Sequence, residues 1–333
     1  MPAEWSPHER CWMAWPCRAE SWPNGLAAAR AAFAAVATAI AHFEPVTMLA
    51  RPTDVVDARR LTRGAVEVVA MDLDDSWTRD IGPIFVIDDA GDIAGIDWGF
   101  NGWGLVHRGF ARDARVARQV LDLAGVRRFV GPQILEGGSI HVDGAGTLLT
   151  TEECLLDPDR NPHLTKTDIE QNLKTWFGCD VVVWLGRGLT NDETRGHVDI
   201  LACFSAPAEI LLPSTDNRDD PDYNILNDTF ESLTSSRDAS GRSFLIRRLP
   251  VPPRCHDAAG RTMALSYANF YLTNGGLIMP GFDPSTDAEA AAVLRDAFPG
   301  RDIVVVPGHA IAAGGGNIHC ITMQQPIRPI LQP

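Results

Sequence analysis

The 333-residue sequence contains no run of 18 or more consecutive apolar residues, and its Ala-rich stretch from Leu26 to Phe43 is interrupted by Arg30 and His42. A membrane span is set aside on that ground, and the stretch reads as a soluble helix. No basic segment leads into an apolar run between Met1 and Cys17, so no signal peptide and a cytoplasmic location are expected. Cysteine pairs are also missing. The seven cysteines are odd in number, dispersed and never spaced as in a zinc knuckle or redox motif, so reduced thiols are expected. Positive charge is in deficit, with 29 Lys and Arg against 43 Asp and Glu. A formal net charge of −14 repels nucleic acid and anionic membrane surfaces, and it modestly concentrates small cations. The sequence further lacks a His-Glu-x-x-His helix, a Gly-x-Ser-x-Gly elbow, a Walker loop and a strand-linked Gly-x-Gly-x-x-Gly. His141, Asp143, His197 and Asp199 fix no standard coordination set, so neither metal nor cofactor is expected.

What is present is a regular alternation. Periodicity and punctuation predict helices over Gly25–Phe43, Asp113–Ala124, Thr165–Phe177, Asp222–Ser235 and Asp287–Phe298. Thr165 with Asp168 forms a capping-box pattern, Gly178 is a stop, and Asp283-Pro284-Ser285-Thr286 opens the last helix. Each helix precedes an apolar, β-branched run: Val66–Met71, Arg128–Val130, Val181–Leu185, Phe244–Leu249 and Ile303–Val306. Five helix–strand–loop units with no Pro/Ser-rich linker predict one α/β domain over residues 1–333. The Pro213–Asp222 segment, dense in Asp, Asn and Pro, reads as an exposed loop or lid.

The least ordinary residues fall in the loops after these strands. Gly314-Gly315-Gly316-Asn317-Ile318-His319-Cys320 lets the backbone approach a ligand closely, with a cysteine placed as a nucleophile; a glycine turn over a buried cysteine fits the same pattern. Thr194-Arg195-Gly196-His197-Val198-Asp199, read as a strand, puts His197 and Asp199 on one face, suited to proton transfer or to a plain hydrogen-bonded pair. Glu136 directly before Gly137-Gly138 can hold a cation at a strand end or sit solvated in a turn. Around Asp74 and Asp80, an acid-rich run includes Trp77, an aromatic on which a flat cation can stack. Trp98 and Trp103 flank a glycine-broken aromatic segment that serves as either an alkyl-chain pocket wall or a core plug.

Taken together these segments resemble the agmatine deiminase family of the guanidino-group modifying, or pentein, superfamily. The likeness runs nearly end to end: Met1-Pro2-Ala3-Glu4-Trp5 with Met13-Ala14-Trp15-Pro16, Trp77–Asp80, Phe100-Asn101-Gly102-Trp103-Gly104, Glu136-Gly137-Gly138, Asn191-Asp192-Glu193-Thr194, Gly196–Asp199, Ser266–Tyr271, the Cys320 motif and Gln324-Gln325-Pro326. The resemblance implies a five-bladed α/β propeller with pseudo-fivefold symmetry and a central active site. It also implies Cys320 as nucleophile, His197 as general acid/base, Glu136 beside it, and Asp80 and Asp199 as guanidinium-binding carboxylates. By the same likeness a small cationic guanidine is the substrate and a homodimer is the family habit. A thiouronium intermediate on Cys320 would then be hydrolysed. Trp98, Trp103, Asp74 and Asp192 are the candidates to line the passage for the alkyl tail and amine, and Trp77 and Gly315 are further candidates to contact the substrate.

Two positions depart from the family pattern: Arg195 stands where a small polar residue is expected, and Ile200 where a polar one is. Arg195 could supply a site for an α-carboxylate, which would favour arginine, peptidyl-arginine or another guanidine over agmatine. A non-catalytic propeller is the alternative from a different class, and retention of all five polar residues argues against it.

Overall fold

The computed structural model describes residues 1–328, so residues 329–333 of the expected domain lie outside the described residues. Among the described residues the strands form five separate small sheets rather than one. Four of these blades share a pattern: an antiparallel hairpin, a helix, and a third strand returning parallel to the second. A parallel return cannot be made by a tight turn, which is why a helix stands before every third strand. In the second blade Ile84–Ile87 pairs with Ile93–Gly99, the helix Val116–Ala124 follows, and Arg127–Ile134 returns. The third blade comprises Ile140–Val142, Thr147–Thr151, the helix Lys166–Phe177 and Val181–Leu185. Cys203–Ala206, Glu209–Ser214, the helix Tyr223–Ser235 and Leu245–Pro250 make the fourth. Tyr271–Leu272, Gly276–Gly281, the helix Pro284–Ala297 and Asp302–Pro307 make the fifth.

The first blade is assembled from both ends of the chain. His8–Ala14, the helix Leu26–Ile40 and the parallel strand Val46–Ala50 come from the start, and Met323–Pro326 supplies the antiparallel partner of His8–Ala14. The ring is thereby closed, and the five-bladed α/β propeller implied by the resemblance is what the chain forms. The predicted capping box is present, with Asp168 N donating to Thr165 Oγ1 at 3.2 Å and Thr165 N donating to Asp168 at 2.9 Å. Gly178 ends that helix at φ 64°, a left-handed conformation that costs glycine little.

Two expectations are corrected. The strand that follows the first helix is Val46–Ala50; the predicted Val66–Met71 run instead provides an extra outer strand, Glu67–Ala70, reached through the short helix Val55–Leu61. The Thr194–Asp199 segment is not a strand. Arg195 at φ 61° and Gly196 at φ 97° break any extended run, and Val198–Ile200 is a 3₁₀ turn. The Pro213–Asp222 segment begins in a strand and continues as an exposed loop, pinned where Arg254 bonds Asp220 and Asp222 at 2.6 and 2.8 Å. Among the described residues no helix is long and apolar enough to cross a membrane.

Candidate active site

Each blade sends one loop to the centre after its last strand. From the first comes Asp80, in a short helical turn Thr78–Ile81, and from the second Glu136, just past Ile134. The third supplies His197 and Asp199, the fourth Asn269, and the fifth Cys320. Glu136 is 0%, His197 and Asp199 1%, Cys320 4% and Asp80 6% exposed, so five ionisable groups share a nearly dry centre. The Cys320 Sγ–H faces Asn269 Oδ1 at 3.4 Å and Asp199 Oδ2 at 3.5 Å. His197 lies between two carboxylates, with Nδ1 3.9 Å from Asp80 Oδ1 and Nε2 3.8 Å from Glu136 Oε2. Gly138 is the point on which these walls converge. A Cβ there would stand 2.5 Å from His197 Nδ1, 3.0 Å from Asp199 Oδ2 and 3.1 Å from Asp80 Oδ1, so no larger residue fits.

The surroundings fix the charge of each group. Glu136 is buried, which disfavours its anion, yet Arg160 Nε donates to both its oxygens at 3.1 and 3.0 Å and brings its pKa down to about 2. Burial also opposes a charged His197, but Asp80, Cys154 and Glu136 around it hold its pKa well above the ordinary value. Burial also raises the pKa of Asp80, but Asp80 accepts N–H bonds from Trp103 at 2.9 Å and Gly138 at 3.0 Å, both of which favour its carboxylate and leave the shared proton to His197. Burial, with Asp199 and Asp80 beside it, raises the Cys320 thiol well above its usual range. Asp199 Oδ1 and both ring nitrogens of His197 are buried without a hydrogen-bond partner among the described residues. Glu136, Cys154 and His197 offer ligand atoms within 4.8 Å of one another, but both Glu136 oxygens are already committed to Arg160.

A narrow cleft leads to Cys320, lined by Trp77, Asp80, Trp103, His107, Glu193, Thr194 and Gly314–Gly316. Trp77 stacks on Trp22 behind it at 5.4 Å. Gly315 holds φ 105°, and a Cβ there would lie 2.9 Å from Glu193 Oε2. Three expected tail-binding residues lie elsewhere. Trp98 packs against Trp176 and Phe177. The Asp74 carboxylate accepts Arg112 N–H at 2.7 Å. Asp192 turns inward and accepts the N–H groups of Thr194, Gly196 and His197 at 2.9, 2.8 and 3.0 Å. Arg195 points away from the cavity, with Nη1 2.9 Å from both Asp157 and Asp159, and Ile200 is buried among apolar neighbours. Sequence reasoning did not single out Arg160, Asn269, His107 or Trp22.

Residues 1–326 match the family described as Porphyromonas-type peptidyl-arginine deiminase. The chain is 49% identical to an agmatine deiminase of Pseudomonas aeruginosa over 98% of this chain and 95% of that one. It is 47% identical to one of Ectopseudomonas mendocina over the same shares. The solved agmatine deiminase of Enterococcus faecalis superposes with a TM-score of 0.95 at 37% identity, covering 99% and 96% of the two chains. Fold and sequence agree along nearly the whole length, and the chain belongs to the Porphyromonas-type peptidyl-arginine deiminase family.

Proposed function

We propose that this protein hydrolyses agmatine to N-carbamoylputrescine and ammonia through a covalent intermediate on Cys320. The observation that carries the reading is the convergence of Asp80, Asp199 and His197 on one buried point beside the Cys320 thiol. A guanidinium carbon is stabilised by resonance and is a poor electrophile, so its plane must be held. Asp80 and Asp199 would hold its N–H groups by charge-assisted bonds, the unpartnered Asp199 Oδ1 among the acceptors. Arrival of a cation between these carboxylates offsets the charge that keeps Cys320 protonated, the thiol releases its proton to solvent, and the thiolate adds to the central carbon. His197 gives its proton to the departing nitrogen, and ammonia leaves a thiouronium on Cys320. The same His197, now neutral, takes a proton from water attacking that carbon. The C–S bond breaks, the urea group of the product forms, and the thiol is regenerated.

The tail explains the choice of agmatine. Trp77 and Trp103 are apolar walls for four methylenes, and Glu193 at the mouth is the acceptor for a terminal ammonium. An α-carboxylate would meet Glu193 there, while Arg195, the cation that would have favoured arginine, is engaged elsewhere. A cytoplasmic location belongs to the same reading. Ammonia release should be measured with agmatine, arginine and a blocked arginine peptide side by side. Agmatine is expected to be turned over preferentially, and Cys320→Ala to lose at least about 10³-fold in kcat. Turnover retained in Cys320→Ala would remove the covalent route, and preference for an arginine derivative would remove the substrate assignment.

A further inference from the structure

The reaction as written leaves a buried histidine unused. His319 Nδ1 lies 2.8 Å from Asp199 Oδ2, and its Nε2 lies 2.8 Å from Glu4 Oε1. Ionised carboxylate oxygens only accept, so a ring bonded at both nitrogens to carboxylates must carry a hydrogen on each. Glu4 is in turn held by Arg79 Nη1 at 3.2 Å, which favours its anion over a neutral acid that would donate to the ring. All four residues are buried.

We infer that Glu4, His319 and Asp199 form a positioning relay in which the His319 imidazolium ties down Asp199 Oδ2, the oxygen that faces Gly138 and the Cys320 thiol, and so fixes the plane of the carboxylate that receives the substrate guanidinium. The thiol of Cys320 faces the same Asp199 Oδ2 that His319 holds, so one fixed carboxylate sets both the plane of the guanidinium and the approach of the nucleophile. Glu4 comes from the segment before the first strand and Cys320 from the last loop, so the closure of the ring that joins the chain ends also completes the active site. The relay rests on the proposed guanidine hydrolysis for its purpose.

The groups facing His319 are Glu4, Asp199, Arg79, His141 and the adjacent Cys320, with Cys203 near Glu4 and Asp199. Burial and Arg79 oppose its charge; Glu4 and Asp199 support it and leave its pKa above the ordinary histidine value. His141, stacked at 6.3 Å, is held down to about 4 by burial and stays neutral, and burial keeps the Cys203 and Cys320 thiols protonated. A pKa raised in this way means that the relay is intact at low and neutral pH and is lost as pH rises through it.

The test is a histidine NMR titration of the full chain, with His319 assigned by its loss in His319→Gln, alongside kcat/KM for agmatine against pH. At about pH 7.5, where an ordinary histidine is mostly neutral, His319 is expected to remain an imidazolium. Glu4→Gln keeps the shape and an acceptor but removes the charge. It should lower the His319 pKa and move the alkaline limb of kcat/KM the same way, about tenfold lost per pH unit of displacement, while Glu4→Asp restores the limb. A neutral His319 at about pH 7.5 in the unmodified protein would overturn the inference, whether or not agmatine is turned over. So would a Glu4→Gln protein that melts earlier but keeps its alkaline limb in place, since that is what a purely structural glutamate would give. Absence of agmatine turnover in a protein whose His319 is an imidazolium would instead count against the hydrolytic reading.

Discussion

The inner and outer ends of the cavity use the same residue types under different dielectric rules. At the inner end Glu136 is fully buried and bonded through both oxygens to Arg160, which also bonds Asp157 at 3.0 Å and the Thr194 carbonyl. At the mouth Glu193, its side chain about 35% exposed, meets Arg261 at 2.7 Å through Oε1, while Oε2 faces Gly315 and lies 3.9 Å from His107. The buried pair has given up its hydration and must be complete, because either partner left alone is a buried charge. The exposed pair is screened by water, so Arg261 steadies Glu193 without consuming it, and one oxygen is left for a ligand. Rigid, costly electrostatics belong where bonds are broken, and cheap, adjustable ones where the substrate is chosen.

The largest expected effect comes from breaking the buried pair. Arg160→Met should cost about 3–5 kcal/mol in denaturant unfolding at neutral pH, because it leaves the Glu136 carboxylate without its guanidinium. The pH dependence should also reverse. With Arg160 present, the Glu136 pKa is lowered from 4.5 to about 2, so its contribution to stability is complete above the ordinary glutamate range and is lost as pH falls toward about 2. Without Arg160 the buried glutamate resists ionisation, and the variant should grow more stable as pH falls from neutrality and a proton is taken up. Equal losses at all pH values would mean that the pair is only packing. At the mouth the expected effect is on binding. Glu193→Gln should raise KM for agmatine roughly 10- to 100-fold through one lost charge-assisted bond, with little change in kcat or in melting temperature. A fall in kcat with KM unchanged would place Glu193 in the chemistry instead.

The parts legible in the sequence are those with a local signature. Helices announced themselves through capping, as Thr165 and Asp168 do, and Cys320, His197, Glu136 and Asp80 stood out by lying next to glycines or aromatics in loops. Inner hairpin strands were not legible: Ile140–Val142 spans three residues and Tyr271–Leu272 two, too short for an alternating pattern. Nor were partnerships across the ring, such as His319 with Glu4, 315 residues apart in the chain. Adjacent acids pose the same difficulty. Asp192 and Glu193 are equivalent as letters, but the shorter side chain folds back onto three N–H groups of its own loop and the longer one reaches the cavity. The extra strand Glu67–Ala70 took the place of Val46–Ala50 in the reading because both are apolar runs, and only pairing distinguishes them.

Arg195 gives the smallest effect and sharpens the comparison most. It is a cation near the mouth in sequence, and a carboxylate-bearing substrate would need such a group. Its guanidinium is bonded to Asp157 and Asp159, its side chain about 40% exposed, and its ion pairs belong to the screened class. Arg195→Ala should therefore cost only about 0.2–1 kcal/mol of stability and leave KM for agmatine unchanged. Asp157 keeps its bond to Arg160, so the inner end should not register the change. If the variant instead lost turnover of an arginine derivative while keeping agmatine, Arg195 would swing from Asp157 to an α-carboxylate during binding, and the mouth would select its substrates by a movable cation rather than by Glu193.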